Sequence, residues 1–282
     1  MLELLVVITI IGILSSIVIV SMSGSTDSAD IAKGKSYDQQ IHALLGYEAV
    51  LDLNFNENAY NSCPDGKDVC DASGYNNNGD ISNNEAAYIL NPVGGYALSF
   101  DGINDRITIA DSSSLDVREA ITLTVWVNTD SYSGSKDILQ KHYYMYFLRQ
   151  TWLDNGILTF TLKIDGTYRS VSYNNPSELW DGSWHHIVGT WGGGAIKLYI
   201  DGNFVNQSSE YSGNIDTSGS ALYIGYSASA AEYFKGLIGE IRIYAKALPA
   251  TEIQKQYVQG LNNLLASQAI TQTEYDKKNG KI

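Results

Sequence analysis

The sequence predicts a mainly β chain, an antiparallel β-sandwich head carried on a long N-terminal α-helix and followed by a short helical C-terminal tail. Three observations predict it. Residues 4–20 form an uncharged apolar run. Short strand-like stretches follow from Ala49 to about Ala247, and Asp-Gly turns separate several of them. The divisions are a helix over 1–46, a sandwich over 47–248 and a tail over 249–282.

The chain has 282 residues, enough for one large domain and an additional element. Only 17% are charged and 44% are hydrophobic, so a core can form and the composition is not that of a disordered chain. Lys and Arg number 18 against 31 Asp and Glu, a formal charge of −13. Such a surface repels phosphate backbones, so no nucleic-acid partner is expected. It is compatible with calcium, which takes hard oxygen ligands.

The first element is the apolar run Leu4 to Val20, LLVVITIIGILSSIVIV. As a helix it spans roughly 25 Å, adequate for a bilayer. No Lys or Arg precedes it and no small-residue cleavage site ends it, which argues against a secretory signal peptide. Glu3 at its edge is costly in an apolar setting unless something pairs with it. Beyond Ser21–Ser28, Ile31, Ala32, Ile41, Leu44 and Leu45 give an amphipathic continuation that Gly46 would end.

Residues 2–14, Leu-Glu-Leu-Leu-Val-Val-Ile-Thr-Ile-Ile-Gly-Ile-Leu, resemble the start of mature type IV pilins and pseudopilins. The resemblance implies that Glu3 pairs with the N-terminal amine of a neighbouring identical subunit while the helices form a filament core. Gly12 matches the glycine near which that helix unwinds. The family's basic leader and cleavage-site glycine do not precede the run, and Glu3 lies nearer the start than the family glutamate. The chain is therefore expected to lack the leader and the first couple of mature residues, with Met1 an internal position or a miscalled start. A plain membrane anchor is the simpler reading.

Cys63 and Cys70 flank Pro64-Asp65-Gly66, strong turn chemistry that would bring the thiols together. A disulfide in an oxidising compartment is preferred over two free thiols.

The head is read from runs such as Ala49–Phe55, Ala97–Phe100, Arg106–Ile109, Leu123–Val127, Leu158–Ile164 and Ile196–Ile200, several alternating apolar with polar. Asp-Gly recurs at 101–102, 165–166, 181–182 and 201–202. Many antiparallel strands over some two hundred residues imply a sandwich or jelly roll.

Four motifs in order carry a second resemblance. They are Asp71–Gly79, Ser99–Ile107, Trp184–Trp191 with Leu198–Gly202, and Phe234–Tyr244. They resemble laminin-G-like, concanavalin A-like domains. The resemblance implies that the first and last strands of the head lie side by side, and it suggests a structural calcium near Asp71, Asp101, Asp105 and Glu240. Gly239 stands where many relatives have an acidic residue.

Glycosidases of that fold need two carboxylates about 5–10 Å apart. The family's Glu-x-Asp-x-x-Glu pattern does not occur, and Asp52 and Glu57 have an odd spacing that puts them on opposite faces. His185 and His186 are neighbours in a strand and cannot grip one metal together. The resemblance makes them structural, with one ring hydrogen-bonded inside the sandwich. No Gly-x-Ser-x-Gly elbow or His-Glu-x-x-His motif occurs. Binding rather than catalysis is expected. The aromatic sets Tyr143, Tyr144 and Tyr146, or Tyr168, Tyr173 and Trp180, could stack on sugars or could fill cores.

From Pro249 the chain turns helical, with Thr271 and Glu274 as a capping box; this tail could pack on the head, contact a neighbour or fray. The expected role is that of a subunit of an extracellular pilus-like filament, membrane-inserted before assembly, whose lectin-like heads adhere to a glycan or surface protein. The alternatives are a monomeric membrane-anchored carbohydrate-binding protein and a minor pseudopilin of a secretion system.

Overall fold

Every second residue of a strand points to the same face, and here those residues form continuous rows across two sheets. The computed structural model describes residues 49–55, 60–82, 86–91, 95–130, 136–151, 156–228, 231–266 and 270–280. The helix expected over 1–46, with Glu3 and Gly12, and also Glu57, lie outside the described residues.

The strands in chain order begin with β1 (Ala49–Leu53), β2 (Gly79–Ile81), β3 (Ala87–Asn91), β4 (Gly95–Asp101), β5 (Ile107–Ile109) and β6 (Ile121–Asn128). Next come β7 (Lys136–Lys141), β8 (Tyr146–Thr151), β9 (Ile157–Ile164), β10 (Thr167–Tyr173), β11 (Trp184–Trp191) and β12 (Gly194–Ile200). The last are β13 (Asn203–Tyr211), β14 (Leu222–Ile224), β15 (Tyr226–Ser227), β16 (Glu232–Tyr233) and β17 (Lys235–Tyr244). The helices are α1 (Pro176–Leu179), α2 (Ala250–Ala266) and α3 (Gln272–Lys278).

One sheet has the order β13-β12-β11-β6-β17-β4-β3, and β1 also pairs with β17. The second has the order β10-β9-β8-β7-β14-β5-β2, and β15 and β16 form a separate hairpin. All the pairings are antiparallel. The first and last strands of the head are adjacent, with Leu51 opposite Ile243. β17 meets β4 through Lys235–Ile238 and β1 through Ile241–Tyr244, and its register with β6 shifts between these halves, around Gly239. Two of the Asp-Gly pairs close two-residue hairpins, where Asp165 and Gly166, and Asp201 and Gly202, all have positive φ. The other two pairs end β4 and precede β11.

The core lies between the sheets. In the second sheet Ile81, Ile107, Ile224, Leu139, Leu148, Phe160 and Val171 stand opposite one another through all seven strands, and all are buried. In the first sheet Ile121, Leu123, Val125 and Val127 face the same core.

The alternation in β6 predicts one wet face, and here the structure differs. Thr122, Thr124 and Trp126 are buried as well, because α2 covers the outer face. Tyr257, Leu261 and Leu264 of α2 and Tyr275 of α3 form a second apolar cluster with Ala97, Trp126 and Trp184. The Thr122 hydroxyl meets Thr190 Oγ1 at 2.9 Å, donates to the Lys246 carbonyl at 2.7 Å and accepts the Leu248 N–H at 2.9 Å. The tail thus packs on the head, and its Thr271–Glu274 capping box is present.

Trp126 stacks on His186 at 5.0 Å and on Tyr257 at 5.9 Å. His186 Nδ1 is buried with no hydrogen-bond partner among the described residues. Burial lowers the imidazole from 6.5 to about 4, Asp201 opposing the shift and Arg242 adding to it. Between pH 6.5 and 4 the unfolded chain therefore binds a proton that the folded chain refuses. Stability falls as pH drops through that window, by up to about 3 kcal/mol, and is unaffected above it. We predict that His186→Phe, which keeps the stack, flattens this acid limb in urea titrations. A limb as steep as wild type would refute the assignment.

Gly260 allows the helix to approach Trp126, since a Cβ there would lie 2.3 Å from the indole Cζ2. Gly260→Ala gains about 1 kcal/mol of helix propensity, but overpacking costs about 1–3 kcal/mol. So close a contact with a rigid ring puts the cost at the upper end. The expected outcome is a net loss of about 1–2 kcal/mol in the same titration.

Candidate functional site

The outer face of the second sheet is built from the residues between the core-facing ones. Asp80, Thr108, Tyr223, Gln140, Phe147, Thr161 and Ser170 stand in register across its seven strands. On the β9–β10 part of this face Tyr168 and Ser170 are exposed.

There two hydroxyl pairs lie side by side, Thr159 with Ser172 at 3.1 Å and Thr161 with Ser170 at 2.8 Å. Tyr168 flanks them, 51% exposed, with Lys163 Nζ 5.8 Å from its ring centre. Tyr144 meets Tyr168 edge-on at 6.3 Å and Phe147 at 5.2 Å. Tyr144 ends a 3-10 turn, His142–Tyr144, with φ of 60°, a left-handed conformation that is strained for a bulky residue and is held by its surroundings.

Arg149 lies beneath, its guanidinium 5.1 Å from the Tyr144 ring centre and 4.8 Å from that of Phe147. Its Nε donates to Asp137 Oδ1 at 2.5 Å and its Nη2 to Oδ2 at 3.0 Å. Asp137 is fully buried and also accepts from Gln140 Nε2 at 2.8 Å. Burial raises the Asp137 carboxyl while Arg149 opposes the shift. Burial also works against the Arg149 charge, but Asp137 and Tyr144 together raise it above its ordinary value. The β15–β16 hairpin secures the pair from above. Ala228 N–H donates to Gln140 Oε1 at 3.2 Å, and Arg149 Nη2 lies 3.4 Å from Ser227 Oγ.

The two aromatic sets expected to bind are therefore split. Tyr146 and Trp180 are core residues, their polar atoms donating to the carbonyls of Leu115 and Gly156. Tyr173 donates to Glu178, and the side chain of Tyr143 lies outside the described residues. Tyr144 from one set and Tyr168 from the other come together. Sequence reasoning missed Arg149 and Asp137, although alternation in Tyr146-Phe147-Leu148-Arg149 puts Phe147 and Arg149 on one face.

The four carboxylates considered for calcium occupy separate settings. Asp71 accepts from the N–H groups of Asp52, Ser73 and Asn77 and from the Ser73 hydroxyl. It organises the Asn- and Gly-rich loop ahead of β2. Asp101 accepts from Ile103 and Asn104 N–H, and Asp105 accepts from Asp101 N–H, so these two share one turn. Glu240 pairs with Arg242, which also meets Asp52 at 3.2 Å. Among the described residues no group of three His, Cys, Asp or Glu side chains is arranged to hold a metal. His185 holds Asp201 at 2.8 Å and Asp181 at 3.2 Å, on the strand face opposite to His186.

Cys63 and Cys70 are disulfide-bonded, their Cα atoms 5.3 Å apart. The Pro64-Asp65 turn closes through Gly66 N–H to the Cys63 carbonyl at 2.9 Å. Between the cysteines, Asp68 accepts from Asn61 and Ile81 N–H and fastens the loop to β2.

A family model described as the concanavalin A-like lectin/glucanases superfamily matches residues 101–254. No curated protein sequence matches the chain. Among solved structures, the binding domain of Paraclostridial Mosquitocidal Protein 1 is similar with a TM-score of 0.60 and 15% identity over 76% of this chain and 53% of that one. The binding domain of botulinum neurotoxin DC, solved in complex with SialylT, gives 0.58 and 16% over 77% and 51%. The same domain with rat synaptotagmin II gives 0.57 and 16% over 77% and 52%. The chain spans about half the length of these structures, and the likeness is one of fold.

Proposed function

The chain belongs to the concanavalin A-like lectin/glucanases superfamily, and we propose that its head is a non-catalytic binding module that takes a glycan on the outer face of the seven-stranded sheet, at β9 and β10. One observation carries this reading: half-exposed Tyr168, set edge-on to Tyr144, beside paired hydroxyls and above a guanidinium fixed by a buried carboxylate. A tyrosine face stacks on the C–H face of a sugar ring while neighbouring hydroxyls exchange hydrogen bonds with its rim. The SialylT named with one similar neurotoxin binding domain supports a glycan as the ligand class. No enzymatic step is part of the proposal, and Asp137, the carboxylate beside the two tyrosines, is engaged by Arg149.

We further propose that the first residues assemble identical subunits into a pilus-like filament outside the cell, Glu3 making the intersubunit pair and the helix resting in the membrane before assembly. The pilin-like residues 2–14 support it, and the disulfide supports an oxidising compartment. Among the described residues no helix is long and apolar enough to cross a membrane. A monomeric membrane-anchored carbohydrate-binding protein, or a minor pseudopilin, is the alternative.

Glycan-array binding followed by titration tests the head. Tyr168→Ala is expected to weaken the best ligand about tenfold, or about 1.4 kcal/mol, with an unchanged melting temperature because the side chain is half exposed. Tyr144→Ala should weaken it similarly. Unaltered binding in both variants would remove this face as the site. For the stalk, Glu3→Ala should abolish filaments seen by electron microscopy while leaving the membrane-inserted pool. Normal fibres from that variant would refute the pairing.

A further inference from the structure

At the inner side of the seven-stranded sheet stands a polar group that the binding face does not use. Lys141 ends β7 opposite Leu222, and its side chain is 0% exposed. Lysine is almost never fully buried without a partner. Two carboxylates meet it from the connection between β5 and β6. Asp111 Oδ1 lies 2.5 Å from Lys141 Nζ, on a side chain 36% exposed. Asp116 Oδ1 lies 3.9 Å away and is itself buried with no hydrogen-bond partner among the described residues. That connection is rigid: Ser113–Leu115 forms a 3-10 turn, and the Leu115 carbonyl accepts the Tyr146 hydroxyl at 3.0 Å.

The geometry points to an intramolecular isopeptide bond between Lys141 Nζ and the Asp111 carboxyl carbon, with Asp116 transferring the protons. The attacked carbon lies one C–O bond beyond the oxygen already in contact, within roughly 4 Å of the nitrogen, close to a reactive approach. Asp116 takes a proton from the ammonium, freeing the lone pair that attacks. The C–N bond forms, Asp116 returns the proton to the departing oxygen, and the C–O bond breaks. Two of the three ammonium protons leave with that oxygen as water and the third stays on the amide nitrogen. Nothing is oxidised or reduced, and no co-reactant is consumed. The solvent-facing side of Asp111 is the exit for the water.

Two other pairs show why this one is singled out. Lys67 and Asp80 are as close, at 2.5 Å, but their side chains are 39% and 52% exposed, so water stabilises the ions and opposes condensation. Asp137 is buried, but its partner Arg149 is a guanidinium, a poor nucleophile that does not lose its proton. At Lys141 the amine is fully desolvated, and condensation removes its buried positive charge, which is unfavourable in that setting. The product would close a covalent loop from residue 111 to 141 around β6, a strand buried on both faces, and would persist when Cys63–Cys70 is reduced.

Intact mass spectrometry of the full-length chain, purified in detergent and fully reduced, tests this directly. The expected mass is below the calculated one by one water, with a tryptic species joining the Lys141 and Asp111 peptides. Lys141→Arg and Asp111→Ala should each return to their calculated masses, and Asp116→Asn should stay at its calculated mass while still folded by circular dichroism. Wild type at its full calculated mass would overturn the bond. A dehydrated, cross-linked Asp116→Asn would overturn the proton-transfer role.

Discussion

Burial of β6 on both faces is the constraint from which the other parts of the head follow. Its core-facing residues, Ile121, Leu123, Val125 and Val127, belong to the sandwich interior. Its outward residues, Thr122, Thr124 and Trp126, are sealed by the C-terminal helices. A buried threonine hydroxyl must find partners. Thr122 finds them in Thr190 and in the chain leading from β17 to α2, so satisfying one hydroxyl also fixes where the helix begins. Glycine at 260 then sets how closely the helix approaches the Trp126 ring.

The C-terminal helices cover the first sheet, and the outer face of the second carries the proposed binding site. Its side chains are preorganised by a polar network rather than by apolar packing. Asp137 is fully buried, and Arg149 and Gln140 engage its two oxygens. The guanidinium is thereby held close to the Tyr144 and Phe147 rings, which limits its side-chain freedom. The hydroxyl pairs on β9 and β10 are similarly mutual, each orienting the other.

The strand pattern was readable because period-two alternation and Asp-Gly turns are local. Leu158–Ile164 alternates and is β9, and Asp165-Gly166 closes its hairpin with β10. The disulfide was readable for the same reason, since Pro-Asp-Gly turns the chain between two nearby cysteines. The candidate site was half readable. Aromatic residues close in sequence were grouped together, but Tyr144 ends a 3-10 turn with a left-handed φ ahead of β8, so Tyr146 enters the core while Tyr144 meets Tyr168 from another hairpin. Asp71, Asp101 and Glu240, which the sequence suggests for calcium, order the turns and ion pairs of their own neighbourhoods.

By itself the sequence determined the strands, the tight turns, the linked cysteines, the helical tail and the sandwich class, because each depends on residues within about ten positions of one another. Only the tertiary structure decided which sheet face the tail would cover, which tyrosines would meet, and that Lys141 would be enclosed with Asp111 and Asp116. Those outcomes depend on register between strands far apart in the chain. Alternation reports that a strand has two faces, but it carries no information about what will lie against either one.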